Sequence, residues 1–230
     1  MAERGIGVII VAGGSGRRMG TAMPKQFLML HNRPVLAHTI DRVREALPAA
    51  RIVVVLPEEH IALWRNIAAR FDIAAHEVTA GGSERFHSVR NGLAALGDDV
   101  RLIAVHDGVR PLASKKLILR ALLEAEKNGA AIPVVAPADS YRKVAGDGSS
   151  HPIDRSALRI VQTPQVFRAE VLREAYMQPF SPLFTDDASV VEAAGHNVAL
   201  CEGERENIKI TTPSDLTMAE AILNARDDEA

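Results

Sequence analysis

Cysteine is almost missing from this chain of 230 residues. The single Cys201 excludes a disulfide framework and a cysteine-rich zinc site. It suits a reducing compartment, so a cytoplasmic location is expected. No apolar run approaches the roughly 18 residues needed to span a membrane. Met1–Gly5 lead straight into a strand-like segment, so no signal h-region is expected there. An excess of one charge is missing too: 27 Lys and Arg face 29 Asp and Glu, a formal charge of −2. That balance argues against coating nucleic acid, which depends on clustered cations. It leaves room for a local cationic pocket around a small anion. The eight histidines contain no H-E-x-x-H pair, which argues against zinc. Repeats and low-complexity tracts are also absent. What remains is ordinary globular material, 47% hydrophobic and 24% charged, of a length that suits one core with an appendage.

Short β-branched runs alternate with amphipathic stretches. Strands are expected at Ile6–Ala12, Arg51–Leu56, Leu102–His106, Ala130–Ala136 and Val198–Cys201. Their runs are continuously apolar, as in strands buried on both faces. Helices are expected at Pro34–Leu47, Ile61–Phe71, Arg85–Leu96, Lys115–Asn128 and Ser214–Asn224. The first carries Leu36, Ile40, Val43 and Leu47 on one stripe. Gly129 marks a helix stop, and Thr212-Pro213-Ser214-Asp215 a start. The alternation implies an α/β fold: a three-layer, Rossmann-like, mostly parallel sheet with ligands beyond the strands' carboxyl ends. Asp139–Ser156 breaks the rhythm. It is polar, and Gly146-Asp147-Gly148 signals a turn between Tyr141–Val144 and His151–Ile153. Residues 139–156 are therefore expected to form a projecting β-arm on a core of 1–138 and 157–230, with a long solvated loop as the alternative.

Ala12–Phe27 reads AGGSGRRMGTAMPKQF and begins where the first strand ends. Glycines there permit close backbone approach to an anion, and Arg17, Arg18 and Lys25 add positive charge. A dinucleotide fingerprint fits poorly, because Met19 holds the third glycine position and Pro24 blocks the helix that should begin there. A Walker loop fails for want of Gly-Lys-Ser/Thr. A longer open loop around a nucleoside triphosphate uses every unusual residue. Its bland counterpart is a solvated glycine-rich turn.

This stretch resembles the nucleotide loop of the sugar- and polyol-phosphate nucleotidyltransferases. More narrowly, it looks like the cytidylyltransferases that act on 2-C-methyl-D-erythritol 4-phosphate in the non-mevalonate isoprenoid pathway. The likeness continues through Gly81-Gly82-Ser83-Glu84-Arg85, His106-Asp107-Gly108-Val109-Arg110-Pro111 and Asp154-Arg155. It runs on through Thr163-Pro164-Gln165, Thr185-Asp186-Asp187-Ala188-Ser189 and Asn207-Ile208-Lys209-Ile210-Thr211. A ribitol 5-phosphate cytidylyltransferase shares the loop and the strand-end Asp-x-x-Arg, and stays open as the alternative. An NAD(P)-dependent oxidoreductase and a non-catalytic nucleotide-binding module are weaker ones.

The resemblance implies that CTP and a polyol phosphate are the partners, and that Arg18, Lys25 and Lys209 are the catalytic cations. It implies CTP binding by Ala12, Gly13, Gly14, Gly16, Gly82, Ser83 and Ser88. It implies acceptor binding by Asp107, Arg110, Ser140, Arg155, Thr163 and Thr185, with Arg155 supplied by the partner arm of a homodimer. Mg²⁺ is expected mainly on the CTP phosphates, with Asp107 nearby. Ser83 stands where some relatives carry Asp, Ser140 where Thr is common, and Gly108-Val109 where Ala-Ala is common. The residues themselves offer more. Asp107 lies at a strand's carboxyl end, and could instead simply pair with Arg110. Ser83 could cap the following helix. His106 reads as a packing or hydrogen-bonding residue; Arg85 and Arg90 read as solvated helix charges, with extra phosphate contacts as the less common alternative.

Overall fold

The structure is a computed structural model that describes residues 5–14 and 23–228. In chain order the elements are β1 (Ile6–Val11), β2 (Met29–Leu30), β3 (Arg33–Pro34), α1 (Val35–Ala46), β4 (Arg51–Leu56) and α2 (Glu58–Arg70). Next come β5 (Glu77–Ala80), α3 (Arg85–Leu96), β6 (Leu102–Asp107), α4 (Lys115–Asn128), β7 (Ala130–Val135), β8 (Tyr141–Val144) and β9 (Ser150–Ile153). The chain ends with β10 (Ile160–Val161), β11 (Gln165–Arg168), α5 (Ala169–Ala175), α6 (Asp187–Ala193), β12 (Ala199–Glu202) and α7 (Pro213–Asp228).

Eight strands form one sheet in the order β10-β7-β11-β6-β1-β4-β5, with β12 also paired to β7. β1 pairs in parallel with β4 and β6, β4 with β5, and β12 with β7. Alternate side chains of each strand face opposite sides. Val8 and Ile10 of β1, with Ile52 and Val54 of β4, pack under Leu36, Ile40 and Leu117 of α1 and α4. Ile9, Val53 and Val55 face Phe86, Val89 and Leu93 of α3 on the other side. Those two apolar layers make the expected helix–sheet–helix sandwich. Trp64 of α2 is wholly buried and stacks on Phe27, with ring centroids 5.6 Å apart. That contact fastens the tight turn Lys25–Phe27 to the core.

Several expectations need correction. β5, β10 and β11 were not anticipated, and β11 runs antiparallel between β6 and β7. Its Gln165–Arg168 passes directly into α5 with no turn residue between. α5 and α6 have seven residues each, too few to display a helical repeat. α2 starts at Glu58, before the expected Ile61, because Pro57 opens it and two acids suit its first turn. α7 starts at Pro213 and runs on past Asn224. The Asp215 carboxylate accepts from the amides of Thr211 and Thr212, both at 2.8 Å. Gly129 ends α4 at φ 89°, the left-handed conformation expected there.

β8 and β9 form a separate antiparallel pair, in register from Tyr141↔Ile153 to Val144↔Ser150. All eight of their residues are exposed. No helix among the described residues is long and apolar enough to cross a membrane.

Candidate active site

The carboxyl ends of β1, β4, β5 and β6 all open on one cavity of about 620 Å³. After β1 come Ala12, Gly13 and Gly14; Gly16, Arg17 and Arg18 lie outside the described residues. The Ala12 amide donates to Val55, and its carbonyl accepts from Gln26 at 2.8 Å. The carbonyls of Gly13 and Gly82 have no hydrogen-bond donor among the described residues, and both residues border the cavity. Lys25 is almost buried and donates from Nζ to the Ile210 carbonyl at 3.0 Å. This bond ties the loop after β1 to the segment that carries Lys209.

At the start of α3 neither Ser83 nor Ser88 caps the helix; Glu84 holds the N-cap position and makes no side-chain capping bond. Ser88 Oγ accepts from the Gly82 amide at 3.1 Å and donates to the Glu84 carbonyl. Ser83 Oγ pairs with His87 Nδ1 instead and is exposed. A Cβ on Gly82 would lie 2.3 Å from His87 Cβ, so only glycine fits this turn.

A second cavity of about 310 Å³ adjoins the first and is bordered by Arg110, Thr163, Gln165 and Thr185. Arg85, Asp107 and Lys209 border both. Asp107 Oδ2 sits 2.9 Å from Lys209 Nζ and 3.4 Å from Arg110 Nε. Pairing with Arg110 is thus present, and the Lys209 contact is the tighter one. Burial pushes the Asp107 carboxyl up, but Lys209, Arg85 and Arg110 outweigh it and hold the group well below the usual carboxylate range. Burial pulls the Arg110 guanidinium down, with Asp107 opposing. Arg110 also donates to the Asn207 carbonyl at 2.6 Å.

His106 is fully buried and pairs through Nδ1 with Thr163 Oγ1 at 2.7 Å. Thr163 Oγ1 in turn accepts from the Asp107 amide at 3.0 Å. Burial lowers the His106 pKa to about 4, so the imidazole is neutral at physiological pH. It serves as a hydrogen-bonding residue behind Asp107, as its sequence setting indicated.

Two sequence candidates do not join this constellation. Ser140 and Arg155 lie on or beside the β8–β9 hairpin, are exposed and border neither cavity. Arg155 donates to the Ala138 carbonyl within its own chain. Arg85 is no solvated helix charge: its Nη2 donates to the wholly buried Asp187 at 2.6 Å. Burial disfavours its charge, and Asp187 outweighs burial and keeps the guanidinium ionised. The available signal was its position, because a cation at a helix N-terminus opposes the helix dipole. Arg90 is exposed and lies over the Phe86 ring.

No group of three His, Cys, Asp or Glu converges on a metal position among the described residues. A single carboxylate, Asp107, stands at the junction. That donor set suits Mg²⁺, which keeps several waters and binds through one or two carboxylates plus substrate phosphates.

The family profile of 2-C-methyl-D-erythritol 4-phosphate cytidylyltransferase matches residues 6–225. The chain belongs to this family. A family member of Bacteroides thetaiotaomicron is 48% identical over 217 residues, 94% of this chain and 98% of that one. One of Porphyromonas gingivalis is 50% identical over 219 residues, 94% and 97% of the two chains. The crystal structure of 4-diphosphocytidyl-2C-methyl-D-erythritol synthase from Anaerococcus prevotii superposes with a TM-score of 0.81 at 29% identity, covering 96% of this chain and 99% of that one. The Thermus thermophilus cytidylyltransferase gives 0.75 at 33%, covering 95% and 98%. Family membership favours methylerythritol phosphate over the ribitol phosphate alternative.

Proposed function

We propose that this chain transfers the cytidylyl group of CTP to the phosphate of 2-C-methyl-D-erythritol 4-phosphate, in isoprenoid precursor synthesis. The observation that carries this reading is the pair of adjoining cavities with Lys209, Asp107 and Arg85 at their junction. A nucleotide in the larger cavity and a small phosphorylated polyol in the smaller would meet at those charges. An acceptor phosphate oxygen attacks the α-phosphorus, the bond to the β-phosphate breaks, and pyrophosphate leaves. The attacking group has a second pKa of about 6, so it arrives ionised and needs no base. The site agrees: Asp107 is held by cations, and neutral His106 is engaged with Thr163.

The obstacle is electrostatic, a dianion approaching a triphosphate. Lys25 and Lys209 supply preorganised positive charge, as does Arg18 by family resemblance. Bound Mg²⁺, with Asp107 as its protein carboxylate, would neutralise part of the triphosphate charge. The carbonyls of Gly13 and Gly82, without a donor among the described residues, suit cytosine, whose exocyclic amine donates where uracil accepts. A pyrophosphate-release assay with CTP and each acceptor side by side tests the reading. Turnover is expected with methylerythritol phosphate; turnover with ribitol 5-phosphate alone would sink the acceptor assignment.

The proposal includes a cytoplasmic homodimer in which each hairpin completes the partner's acceptor site. Two features support the dimer. The hairpin bears exposed Tyr141, Val144 and Ile153, and Ser140 and Arg155 lie outside their own chain's cavities. Mixed Arg155→Ala and Lys25→Ala subunits should regain part of the activity that each variant lacks. Failure to recover after demonstrated subunit exchange would assign both residues to one chain's site.

A further inference from the structure

Arg85 is the first residue of α3, where the helix dipole disfavours a cation. Its presence there therefore calls for compensation and for a reason. Compensation comes from Asp187, the first residue of α6, which is fully buried. One Asp187 oxygen accepts from Arg85 Nη2 at 2.6 Å, and the other accepts from the Tyr176 hydroxyl at 2.6 Å. Tyr176 is itself buried and stacks on Phe86, beside Arg85 in sequence. One edge of the guanidinium is thus fixed by a closed network. The rest of it is not used: Nε and Nη1 make no hydrogen bond among the described residues. The side chain is 30% exposed, and it borders both cavities together with Asp107 and Lys209. Stability alone explains such a pair poorly, because a buried ion pair is often no more stable than an apolar replacement.

We propose that Arg85 is a further catalytic residue, whose unengaged edge donates to the acceptor's phosphate as that phosphate closes on the nucleotide. Asp187 and Tyr176 are positioning residues that aim it. This assignment rests on the cytidylyl-transfer reading above. A planar fork held on one side and open on the other matches a phosphate better than an ammonium does.

The test compares wild type with the double variant Arg85→Gln/Asp187→Asn, a neutral amide pair that leaves no charge buried alone. Its Tm should stay near wild type. Its kcat/KM for the acceptor phosphate should fall about a hundredfold, as for loss of one preorganised donor. Its Kd for CTP should change less than about threefold, since the contact serves the other substrate. Arg85→Lys keeps the ion pair but loses the fork; it should lose about tenfold in acceptor kcat/KM at unchanged Tm. That variant decides the matter should the double variant fail to fold. Tyr176→Phe removes a hydrogen bond to the Asp187 carboxylate and should lower acceptor kcat/KM by about threefold, a partial loss of the aim given to Arg85. A merely structural role would move only its Tm. Normal acceptor kinetics in Arg85→Lys and the double variant, or a loss confined to CTP affinity, would overturn Arg85's role while wild type still turned over. No wild-type turnover with CTP and methylerythritol phosphate would instead overturn the reaction itself.

Discussion

Lys25→Ala is expected to lower kcat roughly a thousandfold, the upper range for removing one preorganised charge donor from a transition state. That corresponds to about 4 kcal/mol of lost stabilisation. CTP affinity should weaken by less than about tenfold, because the contact strengthens mainly as charge gathers on the transferring phosphorus. The structure explains why Lys25 can act this way. Its side chain is almost buried, and Nζ is already oriented by the Ile210 carbonyl. Stacked Phe27 and Trp64 hold the turn beneath it. Little reorganisation is then needed when the triphosphate arrives. Lys25→Met, which keeps the apolar stem, separates the charge from the packing, and both variants are read by saturation kinetics beside CTP binding. A fall in CTP affinity with kcat unchanged would make Lys25 a ground-state contact only.

Much of this architecture was legible in the residues, and the exceptions have physical causes. Buried parallel strands announce themselves because both faces are apolar, so β1, β4, β6 and β7 were found nearly to the residue. Lys115–Asn128 and Arg85–Leu96 matched fully, because each has a stop signal or a clear stripe. β11 escaped because a four-residue strand running into a helix leaves no punctuation. The site was legible where chemistry and position coincide. Asp107 ends a strand, and glycines follow β1. Ser88's link to Gly82 and Arg85's link to Asp187 were invisible, since both depend on side-chain aim across a turn or between distant helices. Ser140 and Arg155 point the other way: their motif is clear, yet one chain does not bring them to the cavities.

The second large effect concerns pH. With no protein base, kcat/KM should rise about tenfold per unit up to the acceptor phosphate's pKa near 6, then level off. The sign follows from the nucleophile: the monoanion that prevails below this pKa is the weaker attacker. Site groups add no step between about 5 and 7, a window set by two shifts. Asp107 is held ionised throughout by Lys209, Arg85 and Arg110, and His106, with a pKa of about 4, is neutral throughout.

Charge cancellation without proton abstraction is the central claim, and one measurement reaches it directly. The pH profile of kcat/KM is recorded with the natural acceptor and with a phosphonate analogue whose second pKa is higher by about one unit. The inflection should move upward with the analogue by the same amount. An inflection that stays fixed when the acceptor's pKa changes would reveal an enzymic base and contradict the account.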